Sequence, residues 1–147
     1  MSASNSFESG VLTLYFNNTA HANIGDAVGV RGSTAAGSFY IALYTADPGE
    51  AGTAVTNETA YTNYARVAVA RSAAGFTVSG ATQIANAAAV TFPACGVTGA
   101  TITHFGIVET ASGAGALHLS AALSSSLAVS SGVTPSFAIG ALVVTAD

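Results

Sequence analysis

The side chains that could carry out chemistry are few in this sequence and lie far apart. The candidates for a metal site or a catalytic centre are His21, His104, His118, Glu109 and the single Cys95. No H-x-x-x-H or C-x-x-C spacing for a metal is present, and no G-x-S-x-G nucleophile elbow. His104 and His118 lie on neighbouring predicted strands with Glu109 near the turn between them, but a histidine on a strand is usually only hydrogen-bonded. We therefore predict no catalytic residue, no metal and no cofactor, and we expect Cys95 to be a small buried or turn residue.

Two carboxylates stand close together in the segment Asp47-Pro48-Gly49-Glu50. Pro48 fixes φ at the second position of a turn, and Gly49 tolerates the positive φ that a type II turn needs at the third. Asp47 can accept hydrogen bonds from backbone N–H groups just past the corner. These roles predict a structural turn of Asp47, Pro48 and Gly49 without chemistry. The long polar loop that follows, EAGTAVTNETAYTN, is of a kind that often forms a recognition surface on a rigid scaffold.

Charged residues are scarce. Half of the 147 residues are hydrophobic and only 7% are charged, with three basic residues, seven acids and a net charge of −4. An ordinary soluble domain carries about a quarter charged residues. Because a free monomer normally uses charge to stay unassociated, the deficit leaves two interpretations open. Much of the surface is covered by other protein, or the composition is biased toward small residues.

The same composition excludes several classes of protein. The chain has no basic cluster, whereas nucleic-acid binding relies on Lys and Arg to neutralise phosphates. Every 20-residue window is interrupted by Gly, Ser, Thr, Asn or Pro, so no membrane span is expected. The first ten residues, MSASNSFESG, lack the basic and apolar regions of a signal peptide. We expect neither a nucleic-acid nor a membrane partner.

The N-terminal part of the chain has the periodicity of a helix. Apolar residues recur at helical spacing in SNSFESGVLTLYFNN, which predicts an amphipathic helix over about residues 5–16. Ser4 or Ser6 suits its start and Asn17-Asn18 its end. A loop follows, with a brief strand expected at residues 27–31. We assign residues 1–36 to the helix and an extended arm.

From residue 37 onward the period changes to two. The segments SFYIALYT, NYARVAVAR, AAAVTFPACG, TITHFGIVE, ALHLSAAL, SLAVS and SFAIGALVVTA read as strands separated by Gly, Ser and Pro. About eight such strands predict an all-β fold, a single jelly-roll or Greek-key β-sandwich over residues 37–147, with one domain overall. The last segment is apolar on both faces over residues 137–144, which predicts a central strand or a buried interface.

The ordered series LYTADPGEAG, YARVAV, AAAVTFP, ITHFGIVE, LHLSAAL and FAIGALVVTAD resembles a group of small virion proteins of tailed bacteriophages. Members of this group are tail-fibre-like proteins or capsid decoration (cement) proteins with a jelly-roll fold. The resemblance covers nearly the whole chain and implies a structural, non-enzymatic role in the virion. The resemblance does not distinguish between a location in the head and one in the tail of the virion.

Physical reasoning favours the head among these locations. A decoration protein on the capsid surface holds major capsid subunits together through apolar area rather than charge, which suits this composition. The alternatives are a tail or tail-fibre component involved in host attachment, and a small hydrolase or lectin-like module. The candidate interface with the major capsid protein is the helix stripe of Phe7, Val11, Leu14 and Phe16, although this stripe could instead pack on its own sandwich. Self-association to a dimer or trimer is also expected.

Overall fold

The computed structural model describes residues 3–80 and 82–146, which form one helix and nine strands. In chain order these are α1 (Asn5–Asn17), β1 (Ser38–Tyr44), β2 (Val67–Ala70), β3 (Phe76–Ser79), β4 (Gln83–Asn86), β5 (Val90–Thr91), β6 (Ala100–Val108), β7 (Leu117–Val129), β8 (Ser136–Phe137) and β9 (Val143–Thr145). The chain groups into two compact units. The first comprises Met1–Ser38, Val69–Ala89 and Phe137–Asp147, and the second comprises Phe39–Ala68 and Val90–Ser136.

The helix of the first unit begins and ends where its local sequence provides caps. Ser4 is the N-cap, because its hydroxyl accepts a hydrogen bond from the Phe7 N–H at 3.4 Å and its carbonyl accepts one from the Glu8 N–H. Asn18 adopts a left-handed φ of 56° and ends the helix. The predicted N-terminal helix and its end at Asn17-Asn18 are confirmed, and of the two candidate caps, Ser4 and Ser6, Ser4 is the N-cap.

Arg71 binds the C-terminal end of α1 and the arm that follows it. Its guanidinium donates to the backbone oxygens of Leu14 and Tyr15 and, at 2.8 Å, to Asn18 Oδ1. A further bond, at 3.2 Å, reaches Ser33 Oγ in the arm. A cation at this end of a helix complements the partial negative charge of the last carbonyls. Arg71 therefore fixes the arm to the helix.

An antiparallel sheet in the order β3-β4-β9 forms the rest of the first unit. The helix packs on β3 and β4 through its buried residues Leu12 and Phe16. The Phe16 ring meets the Phe76 ring edge to face, with 5.1 Å between the centroids. This apolar contact is what holds the amphipathic helix in place.

The second unit is built around two long strands. β6 pairs antiparallel with β1, where Ile107 lies opposite Ile41, and with β7, where Ile107 lies opposite Leu119. The four-stranded sheet has the order β2-β1-β6-β7, and β5 pairs with β8. β1 is buried on both faces over residues 41–44. The core of this unit therefore lies on both sides of β1, and β7 ends the sheet.

The predicted all-β class with a short N-terminal helix is confirmed, and the sheets are compatible with a β-sandwich. The jelly-roll topology and the division at residue 36 stay predictions. The segments ALHLSAAL and SLAVS, expected as two strands, belong to the single strand β7. The strand expected at residues 27–31 is an isolated bridge between His21 and Val30.

One local prediction was wrong, and one hairpin was missed. The continuous strand expected over residues 137–144 is interrupted, since β8 ends at Phe137 and β9 begins at Val143. Gly140 has a φ of 73° in this interruption, and Asn86 holds it by donating to Ala138 O and accepting from the Leu142 N–H. The hairpin of β3 and β4 was not predicted, because its strands are only four residues each.

Candidate functional site

The turn predicted after β1 has the backbone geometry that its residues require. Gly49 has a φ of 70°, and its N–H donates to Asp47 Oδ1 at 2.8 Å. The Asn57 side-chain amide donates to Asp47 O, also at 2.8 Å, which fastens the turn to the loop behind it. Pro48 is buried and Glu50 is exposed. Asp47 and Gly49 thus act on the backbone, and no carboxylate pair faces a groove here.

A buried arginine joins two loops of the second unit. Arg66 Nε donates to Glu58 Oε1 at 2.6 Å and Arg66 Nη2 donates to Glu58 Oε2 at 2.7 Å, so the ion pair is bidentate. Nη1 donates to both oxygens of Thr110, at 2.9 and 2.8 Å. Nη2 also donates to Gly113 O at 2.9 Å and to Ala54 O at 3.2 Å. Arg66 thereby ties the loop after β1 to the loop between β6 and β7.

The Glu58 carboxylate has a second partner. The Tyr64 hydroxyl donates to Glu58 Oε1 at 2.9 Å and accepts from the Leu43 N–H at 3.1 Å. Burial raises the pKa of Tyr64 well above its ordinary value, and the nearby Glu58 carboxylate adds to the shift. The hydrogen bond to Glu58 raises the pKa of Arg66. Arg66 therefore stays charged and Tyr64 stays neutral at physiological pH, so neither can act as a general base.

These residues border a shallow open groove of about 420 Å³. It is lined by residues 58–61, 63–66 and 111–113, all in the second unit. The two charged side chains in its lining, Glu58 and Arg66, bind each other. A partner could therefore fit the groove and bind its polar backbone groups, whereas Glu58 and Arg66 already bind each other. We call this surface the Arg66 loop surface.

His104 and His118, which the sequence placed on neighbouring strands, do not lie opposite each other in the structure. His118 Nε2 lies 3.9 Å from Glu109 Oε2, and the His118 ring packs edge to face on Phe39. His104 lies opposite Ala122 in the β6–β7 ladder, with Nδ1 2.9 Å from Thr103 Oγ1. Within residues 3–80 and 82–146, no three His, Cys, Asp or Glu side chains are close enough to hold a metal ion.

Each of the two remaining candidates has a local partner in its own unit. His21 pairs with Val30 in the arm of the first unit. Cys95 is buried in the second unit, and its thiol donates to Thr98 O at 3.4 Å.

The predicted interface on α1 divides into exposed and buried members. Phe7 is 57% exposed and Val11 is 41% exposed. Leu14 is half-buried, whereas Phe16 is 3% exposed and packs within its own unit. Tyr15 is also exposed and continues the line of Phe7 and Val11 at intervals of four residues. The exposed line is therefore Phe7, Val11 and Tyr15, and Phe16 is part of the core.

The Arg66–Glu58 pair was not singled out from the sequence. The available signal was composition, since Arg66 is one of only three basic residues in the chain. Arg66 lies in a segment that alternates as a strand, and Glu58 in a polar loop, so the pattern gave no reason to join them. Their pairing depends on how the loop after β1 folds back.

Comparison with known families gives the class of protein: the chain is a structural protein of a bacteriophage virion. It belongs to the family described as Podophage GP4 fiber I protein gp80, whose model matches residues 2–145. No curated protein matches the chain. A structural virion family suggests a non-enzymatic protein. No helix in the described parts of the chain is long and apolar enough to cross a membrane.

Proposed function

We propose that this chain is a non-enzymatic component of the fibre of a podophage virion. The observation that carries the proposal is the match of residues 2–145 to a family whose description is a fiber protein. The match leaves out only the first residue and the last two, so the description applies to both units of the chain. In this proposal the protein supplies contacts that hold the fibre or present it to the host.

The placement of the few charges supports a structural role outside the cell. Arg66 and Arg71 are two of the three basic residues, and both bind groups within their own unit. The Arg66 side chain is only 2% exposed, so its bond to Glu58 is little screened by salt. A virion protein meets a wide range of ionic strength, and contacts of this kind keep their strength across it.

The Arg66 loop surface is the part of the second unit that we expect to meet a partner. It consists of two loops held rigidly on a sheet, and surfaces of this kind present recognition residues at little cost in conformational entropy. Asn63 and Ser112 are exposed members of its lining and can form hydrogen bonds outward. A host-attachment role of the fibre would use this surface.

Decoration of the capsid is the second candidate function. The exposed apolar line of Phe7, Val11 and Tyr15 on α1 favours it, because an exposed apolar helix face can pack on a neighbouring subunit. The partner would then be the major capsid protein, and the location would be the capsid surface. A low content of charge suits permanent contacts in either location.

Labelling the virion distinguishes the two functions. Gold-conjugated antibody against this protein should bind at the tail end of the particle if it is a fibre component, and over the head if it decorates the capsid. Particles that lack the protein should keep their DNA on heating but adsorb poorly to the host. Particles that adsorb normally and lose DNA on mild heating would contradict the fibre proposal and favour the capsid.

A further inference from the structure

The outer strand β7 lacks the residue types that usually protect a sheet edge. It ends the sheet order β2-β1-β6-β7, and Val129 is its only buried residue. Its sequence, LHLSAALSSSLAV, contains no Asp, Glu, Lys, Arg or Pro. Proteins often protect an edge with Lys or Pro, because unpaired backbone groups otherwise bind other strands. If this edge is to stay unpaired, another feature has to protect it.

The ladder between β6 and β7 is irregular at two places, and at both of them the extra residues belong to β7. The smaller irregularity lies near the start of β7. Ile107 and Val108 follow each other directly in β6, whereas His118 separates their partners Leu119 and Leu117. This is a β-bulge, in which two residues of one strand lie opposite one residue of the other.

The second irregularity is larger and lies further along β7. In β6 a single residue, Thr103, separates Ile102 from His104, but their partners in β7 are separated by the four residues 123–126. The last three of these four are exposed serines. An excess of residues on one strand bends that strand, increases its local twist and interrupts its pairing. The backbone groups of β7 therefore do not form one evenly spaced row.

The bulges divide the edge into short pieces with different orientations. Only residues 119–122 form a regular ladder between the two bulges. Leu119 and Leu127 are eight positions apart, so they would share a face of a regular strand. Their partners Ile107 and Ile102 are five positions apart, so the two leucines lie on opposite faces here. A strand of the usual length, about five to six residues, finds no regular edge of its own length on β7.

We propose that the bulges of β7 protect this edge, so that neighbouring copies of the protein in the virion do not join through it. Copies of a structural protein are present at high local concentration, where a continuous edge without charge would pair with strands of other copies. The protection depends on the excess of three residues at 123–126 and not on their being serines. Self-association of the chain then uses other surfaces.

Deleting the three serines 124–126 tests the proposal. The deletion leaves Leu123 opposite Thr103, one residue against one, and keeps the existing partners on both sides. The ladder then runs without interruption over residues 119–129. Because pairing of two edges doubles the mass of the particle, the weight-average mass should rise toward about twice that of the wild type at the same concentration. Sedimentation velocity of the full chain measures this mass. The variant S124G/S125G/S126G keeps the length of the bulge and should keep the wild-type mass.

A lysine on the edge distinguishes strand pairing from other causes of association. Ala121 is exposed and lies in the regular part of β7. In the deletion variant, A121K should return the mass to that of the wild type, because lysine on an edge opposes strand pairing. The matched control V97K adds a lysine outside β7, at a valine of the same unit that is 89% exposed, and should not lower the mass.

A121K in the otherwise wild-type chain should leave the mass unchanged, since the protected edge is not in use. Circular dichroism and thermal melting establish that each variant is folded. A folded deletion variant with the wild-type mass would overturn the proposal, and so would a rise in mass that A121K fails to reverse or that V97K reverses equally well. Association of the triple-glycine variant to the level of the deletion would show that length is not the cause. The wild-type background gives a result that does not depend on the deletion: if A121K lowered the mass there, the edge would already be an interface and the bulges would not protect it.

Discussion

Replacing Arg66 by Met should lower the free energy of unfolding by about 3–5 kcal/mol. This is the usual cost of removing one partner of a buried ion pair, because the other charge is left without compensation. Here the Glu58 side chain is 15% exposed and would lose the cation that pairs with it, while the carbonyls of Thr110, Gly113 and Ala54 would lose a donor. A domain of ordinary stability has about 5–15 kcal/mol, so the variant would be close to unfolding.

Urea denaturation of the full chain measures this effect. The midpoint of unfolding should fall while the slope of free energy against urea stays unchanged, since the same surface is exposed on unfolding. The control is Arg31→Met, which removes a charge from an exposed position and should change stability by no more than about 0.5 kcal/mol.

The double variant R66M/E58Q tests the cause of the loss. Because it removes the partly buried carboxylate along with its cation, it should be more stable than the sum of the two single changes predicts, by at least about 1 kcal/mol. If R66M cost less than about 1 kcal/mol, or if the two changes were additive, the bond between the loops would not be the source of their stability.

Three further predictions concern the turn at Gly49, Tyr44 and the helix α1. Gly49→Val should lower the stability by about 1 kcal/mol in a melting experiment, because valine is strained at a φ of 70°. Glu50→Gln should change neither stability nor assembly, and a loss of function in E50Q at an unchanged melting temperature would contradict this. Burial raises the pKa of Tyr44 to about 12 in the folded chain, from 10 in the unfolded one. The stability that the neutral Tyr44 hydroxyl contributes is therefore complete below pH 10 and is lost as the pH rises toward 12. In Tyr44→Phe the free energy of unfolding should fall less steeply with pH over this range, and an unchanged slope of that free energy against pH would refute the assignment. Phe16→Ala should cost about 3–5 kcal/mol whereas Phe7→Ala should cost less than about 1 kcal/mol, and equal losses would show that the helix packs on a different face.

Local sequence determined much of the fold. The helix was predictable because its caps and its periodicity lie within a few residues of one another, and Ser4 and Asn18 act as caps. β1 and β6 were predictable because long alternating runs have few competing structures. The turn at Gly49 was predictable because glycine tolerates the positive φ observed there. In each case the information lies within one short segment.

The tertiary structure decided which residues meet across the sequence. Arg66 binds Thr110 and Gly113, more than forty positions away, and no local pattern specifies such a pairing. Phe7 and Phe16 read as members of one helical stripe, yet only Phe16 is buried, because the position of β3 fixes which side of the helix is covered. β7 pairs with β6 on both sides of its run of serines, so the two segments that the sequence divides belong to one strand. Periodicity indicates that a face can be buried, but the covering element determines which face is.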